Sequence, residues 1–313
     1  MPTKKILGYL FLAILSILLY QGYYSDVSVE ELKKLYANEQ SKFIEIDGMQ
    51  VHFRDEGKGV PIVLLHGTGS SLHTWDDWTK ELVKQYRVIR MDLPAFGLTG
   101  PNSSRDYSIK SYTKFLEKFV EQLQLETFHL GGNSLGGFIA WNYTAVHPQK
   151  VHKLILVDPS GLPTNQSDPA IFKMAKTPVL NKLLLHLTPK VFIEKNLKEV
   201  YAEDAKISDE LISRYHKMVL RKGNRQAFVD RAKTDFKFAT TTNIEKLKSI
   251  PNSTLLIWGA QDEWIPLDNG KKMDSLMKNS QLIIMENSGH VPMEEHPQES
   301  FNILKDFLNN LEN

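Results

Sequence analysis

Apolar positions along this chain change rhythm several times, and each change marks a boundary. From Ile6 to Tyr20 they run almost unbroken, interrupted only by Gly8 and Ser16. Lys4 and Lys5 precede the run, and Tyr20, Tyr23 and Tyr24 close it. This pattern predicts an uncleaved signal anchor over residues 1–24, with the tyrosines at a membrane interface and the rest of the chain outside the cytoplasm. Signal cleavage, leaving a secreted or periplasmic product, is the alternative, although no small-x-small site follows the run. Residues 25–40 read as a charged helix or linker that stands the remainder off the membrane.

From Lys42 the period falls to two. Lys42–Ile46 and Met49–Arg54 alternate about Asp47-Gly48, which predicts a hairpin. Continuous apolar runs then recur at Val60–Leu65, Arg87–Met91, Thr127–Leu130, Leu154–Val157, Ser253–Trp258 and Gln281–Met285. Runs of that length suit strands buried on both faces. Helical patterns separate them, the clearest having Ile109, Tyr112, Phe115, Leu116, Phe119 and Leu123 on one face behind a Ser108 N-cap. Strands alternating with helices predict an α/β fold: a mostly parallel, eight-stranded sheet with helices on both faces. Between residues 162 and 243 the strand rhythm disappears, and prolines at 163, 169, 178 and 189 punctuate helical segments. We read 41–161 and 244–313 as the core and 162–243 as a helical cap inserted after the sixth strand.

Composition adds exclusions. The 313 residues carry 38 Lys and Arg against 37 Asp and Glu, a formal net charge of +1, which argues against a nucleic-acid partner. With no cysteine there is no disulfide, thiol nucleophile or thiolate-ligated metal. The ten histidines show no zinc-ligand spacing, so no metal and no cofactor are expected. The oligomeric state leaves no signature.

The candidate chemistry sits where strands end. Gly132-x-Ser134-x-Gly136 lies between an apolar strand and a helix, the pattern of a nucleophile elbow. Glycines two residues to either side let strand and helix close around a strained serine, above the free N–H groups of a helix start. Alone, such a pattern is more often a mere turn. Two later strand ends add Gly259-x-x-Asp262 and Gly289-His290, giving the chain order nucleophile, acid, histidine. Asp158 also ends a strand and stays open as an alternative acid. His66 shapes a Gly-rich loop rather than moving protons.

With His66-Gly67-Thr68-Gly69, Asp92–Gly97, the elbow, Gly259-x-x-Asp262 and Gly289-His290 in this order, residues 41–313 resemble the α/β-hydrolase superfamily, most of all small bacterial lipases and esterases with a helical cap. Ala95 departs from a glycine common in that pattern. The resemblance implies a Ser134–Asp262–His290 triad, with the backbone N–H groups of Thr68 and Leu135 as oxyanion hole. Trp75, Phe138, Trp264 and Val291 flank these residues and are candidate pocket walls. Because haloalkane dehalogenases and epoxide hydrolases need a carboxylate nucleophile, Ser134 directs the first reading to hydrolysis of apolar carboxylic esters, a small molecule or lipid, through an acyl-enzyme. The alternative is a carbon–carbon bond hydrolase of ring-fission-type diketones, which requires an arginine in the cap or pocket; Arg214, Arg221, Arg225 and Arg231 are candidates. A non-catalytic ligand-binding protein on the same scaffold is the further alternative.

Overall fold

The computed structural model describes residues 9, 22–164, 166–234 and 241–310. Strands β1 (Ser41–Ile46), β2 (Met49–Gly57), β3 (Val60–Leu65), β4 (Tyr86–Met91), β5 (Phe128–Asn133), β6 (Val151–Val157), β7 (Ser253–Gly259) and β8 (Ser280–Met285) form one sheet. Their order is β1-β2-β4-β3-β5-β6-β7-β8. Only β2 runs antiparallel to its neighbours; every pairing from β4 to β8 is parallel. The hairpin predicted at Asp47-Gly48 forms, both residues taking positive φ of 50° and 77°, as a two-residue turn between twisted strands requires.

Between the strands lie α2 (Asp76–Leu82), α3 (Ile109–Gln122) and α4 (Leu135–Val146), with α11 (Leu267–Leu276), α12 (Pro292–Glu295) and α13 (Pro297–Asn309) after β7 and β8. Helix α3 starts at the expected N-cap, where the Ser108 hydroxyl accepts the Ser111 N–H at 3.2 Å, and buries Tyr112, Phe115, Leu116 and Phe119. Helices on the two sides of the sheet bury two separate clusters. One holds Phe119, Phe128, Trp141 and Tyr143, and the other Trp75, Trp78, Leu255 and Phe307. A 3₁₀ turn over Leu72–Trp75 leads into α2, which ends at Leu82.

Helices α5 (Ala170–Lys176), α6 (Leu180–Leu183), α7 (Lys190–Val200), α8 (Asp209–Val219) and α9 (Asn224–Lys233) interrupt the alternation between β6 and β7, and α10 (Thr241–Ser249) leads back to β7. The insertion therefore leaves the sheet where the prolines began. Residues 25–40 do not stand free. Helix α1 (Val29–Tyr36) begins in a capping box between Ser28 and Glu31, and its Leu32 is wholly buried against Leu98 and Met218. Val27 exchanges backbone hydrogen bonds of 2.8 Å with Leu220 and Lys222 of the insertion. Most of the anchor read over 1–24 lies outside the described residues. Its end, Gly22–Tyr24, does not project away from the domain: the Thr188 N–H donates to the Gly22 carbonyl and the Tyr24 N–H to His186, both at 3.0 Å. No helix among the described residues is long and apolar enough to cross a membrane.

Candidate active site

In a parallel sheet the strand carboxyl ends share one edge, so the loops after β3, β5, β6, β7 and β8 converge. Ser134 is buried and sits directly after β5 at φ 52° and ψ −115°, a region that non-glycine residues occupy only under constraint. The constraint is visible. Its N–H donates to the Val157 carbonyl at 3.1 Å, and its own carbonyl accepts from Ser160 at 3.1 Å and Phe138 at 2.9 Å. A side chain on Gly136 would collide with the Leu65 carbonyl, and one on Gly132 with Gly136 itself, so both glycines are dictated by close approach rather than by flexibility.

The acid and histidine meet as the spacing implied. His290 Nδ1 lies 2.6 Å from Asp262 Oδ2, while Asp262 Oδ1 accepts the N–H groups of Trp264 at 2.7 Å and Ile265 at 2.9 Å. That leaves His290 Nε2, a buried nitrogen with no partner among the described residues, on the cavity that Ser134 also lines. Asn133, the residue before the nucleophile, fixes the two halves relative to each other. Its buried amide donates to the carbonyls of Val157 at 3.1 Å and His290 at 3.0 Å. Asn133 is thus a brace within the site, and its signal was its place beside the nucleophile.

The loop after β3 is equally determined. His66 donates from Nδ1 to the Gly67 carbonyl at 2.7 Å and accepts the Leu93 N–H on Nε2 at 2.9 Å, a pattern that needs the neutral ring. Burial lowers its pKa, which keeps it neutral. A Cβ on Gly67 would meet Asn133 Oδ1 at 2.7 Å, so the loop rests against the elbow. Thr68 lines the cavity, and Leu135 is the first residue of α4, where an N–H has no intrahelical acceptor. Below this loop Asp92 accepts from His52 at 2.7 Å and from the N–H groups of Leu72 and Leu98 at 2.8 Å. Burial alone would raise the Asp92 carboxyl; the charge and hydrogen bond of His52 outweigh it and hold it well below the usual carboxylate range.

Core and insertion enclose a cavity with about 1180 Å³ of empty space, including its opening. Trp264 and Val291 line it as expected. Trp75 and Phe138 do not. Trp75 is fully buried beside Trp78 in the core cluster on one side of the sheet. Phe138 lies one helical turn after Ser134 and turns into the opposite cluster, 5.2 Å from the Trp141 ring. The insertion supplies apolar walls that sequence could not single out, including Phe172, Leu184, Ile193, Leu197 and Phe228.

The four candidate arginines separate. Arg214 faces Glu294 at 3.5 Å, and Arg221 donates to the carbonyls of Leu98 and Thr99. Arg231 is buried with its guanidinium 5.7 Å from the Phe172 ring. Arg225 alone of the four lines the cavity. It is buried, bonds Asp26 at 2.6 Å through Nη2, and keeps Nε and Nη1 without partners among the described residues.

A second buried carboxylate joins insertion to core. Glu294 accepts from Tyr215 at 2.7 Å, Tyr201 at 3.0 Å and the Thr74 hydroxyl, and Tyr215 in turn contacts Ser70 of the loop after β3 at 3.2 Å. Next to it, Glu295 accepts the N–H groups of Gly289 and Glu203, each at 2.7 Å, steadying the residue before His290. The Glu294-Glu295 pair shortly after Gly289-His290 was the available signal for both.

The residues of the site are arranged for acyl transfer: a strained serine, an imidazole oriented by a carboxylate, and a loop and helix start for the oxyanion. Among known proteins, the chain is similar to a 2-hydroxy-6-oxononadienedioate/2-hydroxy-6-oxononatrienedioate hydrolase of Cupriavidus pinatubonensis, 28% identical over 86% of this chain and 96% of that one. It is also similar to a monoacylglycerol lipase of Mus musculus, 28% identical over 80% of this chain and 76% of the relative. A solved meta-cleavage product hydrolase from Pseudomonas fluorescens superposes with a TM-score of 0.75 at 24% identity, covering 87% of this chain and 99% of that one. The family model described as the alpha/beta hydrolase fold matches residues 60–297, and with that span and this site the chain belongs to the α/β-hydrolase family.

Proposed function

We propose that this protein hydrolyses a carbon–carbon bond in an acidic, vinylogous diketone of the ring-fission type. The observation that carries this reading is Arg225. A buried guanidinium on the wall of the reaction cavity, with Nε and Nη1 without partners among the described residues, offers a positive charge and an N–H to a substrate carboxylate. The curated relative from Cupriavidus, named for such a reaction, supports it. Ser134 adds to the ketone carbonyl as His290 takes its proton, and Asp262 steadies the imidazolium. Collapse breaks the carbon–carbon bond, the departing dienol carbon takes a proton, and water activated by His290 releases the acyl group as an acid. A 2-hydroxy-6-oxo-2,4-dienoate should therefore bleach in the presence of enzyme. Failure to bleach it, alongside rapid cleavage of p-nitrophenyl esters, would overturn this reading.

Hydrolysis of apolar carboxylic esters is the second reading, favoured by the apolar cavity wall and by the exposed Val179, Leu180, Leu183, Val191 and Phe192 of the insertion. The likeness to a monoacylglycerol lipase supports it. The same reading keeps residues 1–24 as an anchor with the enzyme outside the cytoplasm. The first residues after the apolar run, Gly22–Tyr24, join the insertion at 186–188, among those exposed side chains. Recovery of full-length chain in washed membranes is expected, and a soluble product beginning near Ser25 would exclude the anchor. A purely binding role is opposed by the hydrogen-bonded Asp262–His290 pair facing the same cavity as Ser134.

A further inference from the structure

Asp158, at the end of β6, has no part in the scheme above, yet its position is costly. It is 0% exposed, and its backbone sits at φ 43°, where an L residue is strained. Its Oδ1 accepts one hydrogen bond, from the Gly259 N–H at 2.9 Å, and its Oδ2 is buried with no partner of its own. Ligand atoms of Asp158, Asp262 and His290 all lie within 4.8 Å of one another. Two carboxylates are therefore adjacent in a buried place, with Glu295 as a third acid bearing on Asp158 and His290 as the one group of the cluster able to carry positive charge.

Both cannot be ionised there at ordinary cost, because like charges in a low-dielectric site force one to keep its proton. The donors decide which. Asp262 receives three, from His290, Trp264 and Ile265; Asp158 receives one. Donors stabilise the carboxylate that accepts them, so the negative charge belongs on Asp262 and the proton on Asp158. Burial first, and the neighbouring Asp262 second, raise the Asp158 carboxyl well above its ordinary range, in agreement with the geometry.

We propose that Asp158 is held as a neutral carboxylic acid whose Oδ2–H is directed at the Asp262 carboxylate, giving that group a fourth donor, and that it serves as a reserve acid for His290. Asp158 is a positioning residue: it acts on the imidazole through Asp262. When Asp262 is removed, Asp158 loses its proton to solvent and its carboxylate accepts the His290 Nδ1–H. An asparagine at 158 would keep a donor toward Asp262 and an acceptor for Gly259 but has no proton to lose, which separates the two parts of the proposal.

The inference rests on the triad reading and is tested by the rate at which a fluorophosphonate labels Ser134 between pH 5 and 9, in dialysed full-length protein. Asp262→Ala is expected to retain slow labelling that rises with pH, and Asp262→Ala with Asp158→Asn to lie at least about tenfold below it at the alkaline end. Asp158→Ala should slow labelling several-fold, with Asp158→Asn recovering most of the loss. A double variant indistinguishable from Asp262→Ala at every pH would sink the reserve role, and Asp158→Asn behaving like Asp158→Ala would sink the donor. If Asp158→Ala does not fold, the double variant still decides the reserve role and the single asparagine variant's melting curve the donor. Loss of wild-type labelling on dialysis against EDTA would replace the proton with a metal ion. Absence of labelling in the wild type would refute the triad reading itself.

Discussion

The floor and the roof of the cavity are built by different physics. On the floor, the sheet's carboxyl edge fixes Ser134 through backbone hydrogen bonds to Val157 and Ser160 and Asp262 through the N–H groups of Trp264 and Ile265, while the His290 N–H reaches the Val200 carbonyl of the insertion at 2.7 Å. The roof is a set of short helices closed by apolar contact and clipped to the floor at a few polar points, Glu294 and Glu295 among them. Directional bonds position atoms to tenths of an ångström; apolar contact positions surfaces and tolerates exchange. Chemistry should therefore fail abruptly when the floor is altered, and substrate preference should drift when the roof is.

Ser134→Ala is the sharpest test of that division. It should lower turnover by about 10⁴-fold or more while leaving the melting temperature and ligand binding close to wild type. Glu294→Ala, which strands Arg214 and frees Tyr201 and Tyr215, should remove about 3 kcal/mol of stability, read as a shifted denaturation midpoint. If it instead abolishes turnover with no loss of stability, the acid belongs to the floor. Arg225→Leu should raise KM for an acidic diketone about 10- to 100-fold at little cost to kcat, and leave neutral esters nearly unaffected. An equal effect on both substrates would mean that the guanidinium only holds Asp26.

The smallest expected effect is on stability against pH. A carboxyl with a raised pKa in the fold binds more protons there than in the unfolded chain, so above the ordinary carboxylate range the fold loses stability as pH rises toward the raised value. Asp158→Asn removes that loss. It should melt higher than wild type at pH 7 and above, with the difference shrinking toward pH 4. A constant difference across that range would mean that the Asp158 proton is not involved.

This division also explains what could be read from residue order alone. The floor announces itself because close approach demands glycine and strand ends demand particular neighbours: Gly132, Gly136, Gly259 and Gly289 bracket Ser134, Asp262 and His290. The strands were equally plain, six because burial on both faces leaves continuous apolar runs and the first two because they alternate about a hairpin turn. Trp75 and Phe138 were misplaced because nearness in sequence says nothing about helical phase; Phe138 is one turn from the nucleophile and points the opposite way. The walls contributed by Phe172, Leu184 and Phe228 were hidden among many apolar residues whose spacing is identical whether they face a cavity or a core. Arg225 was one of four equivalent candidates until tertiary structure gave three of them other surroundings.

The seam between the N-terminal residues and the insertion gives the molecule a mechanical direction. A tension applied to the chain ahead of Gly22 reaches the hydrogen bonds to His186 and Thr188 first, then the bridge at Val27, then the capped helix over Leu32, and only afterwards a strand. A load entering at Gly22 is therefore borne by the roof of the cavity, and the carboxyl edge of the sheet lies behind it in series.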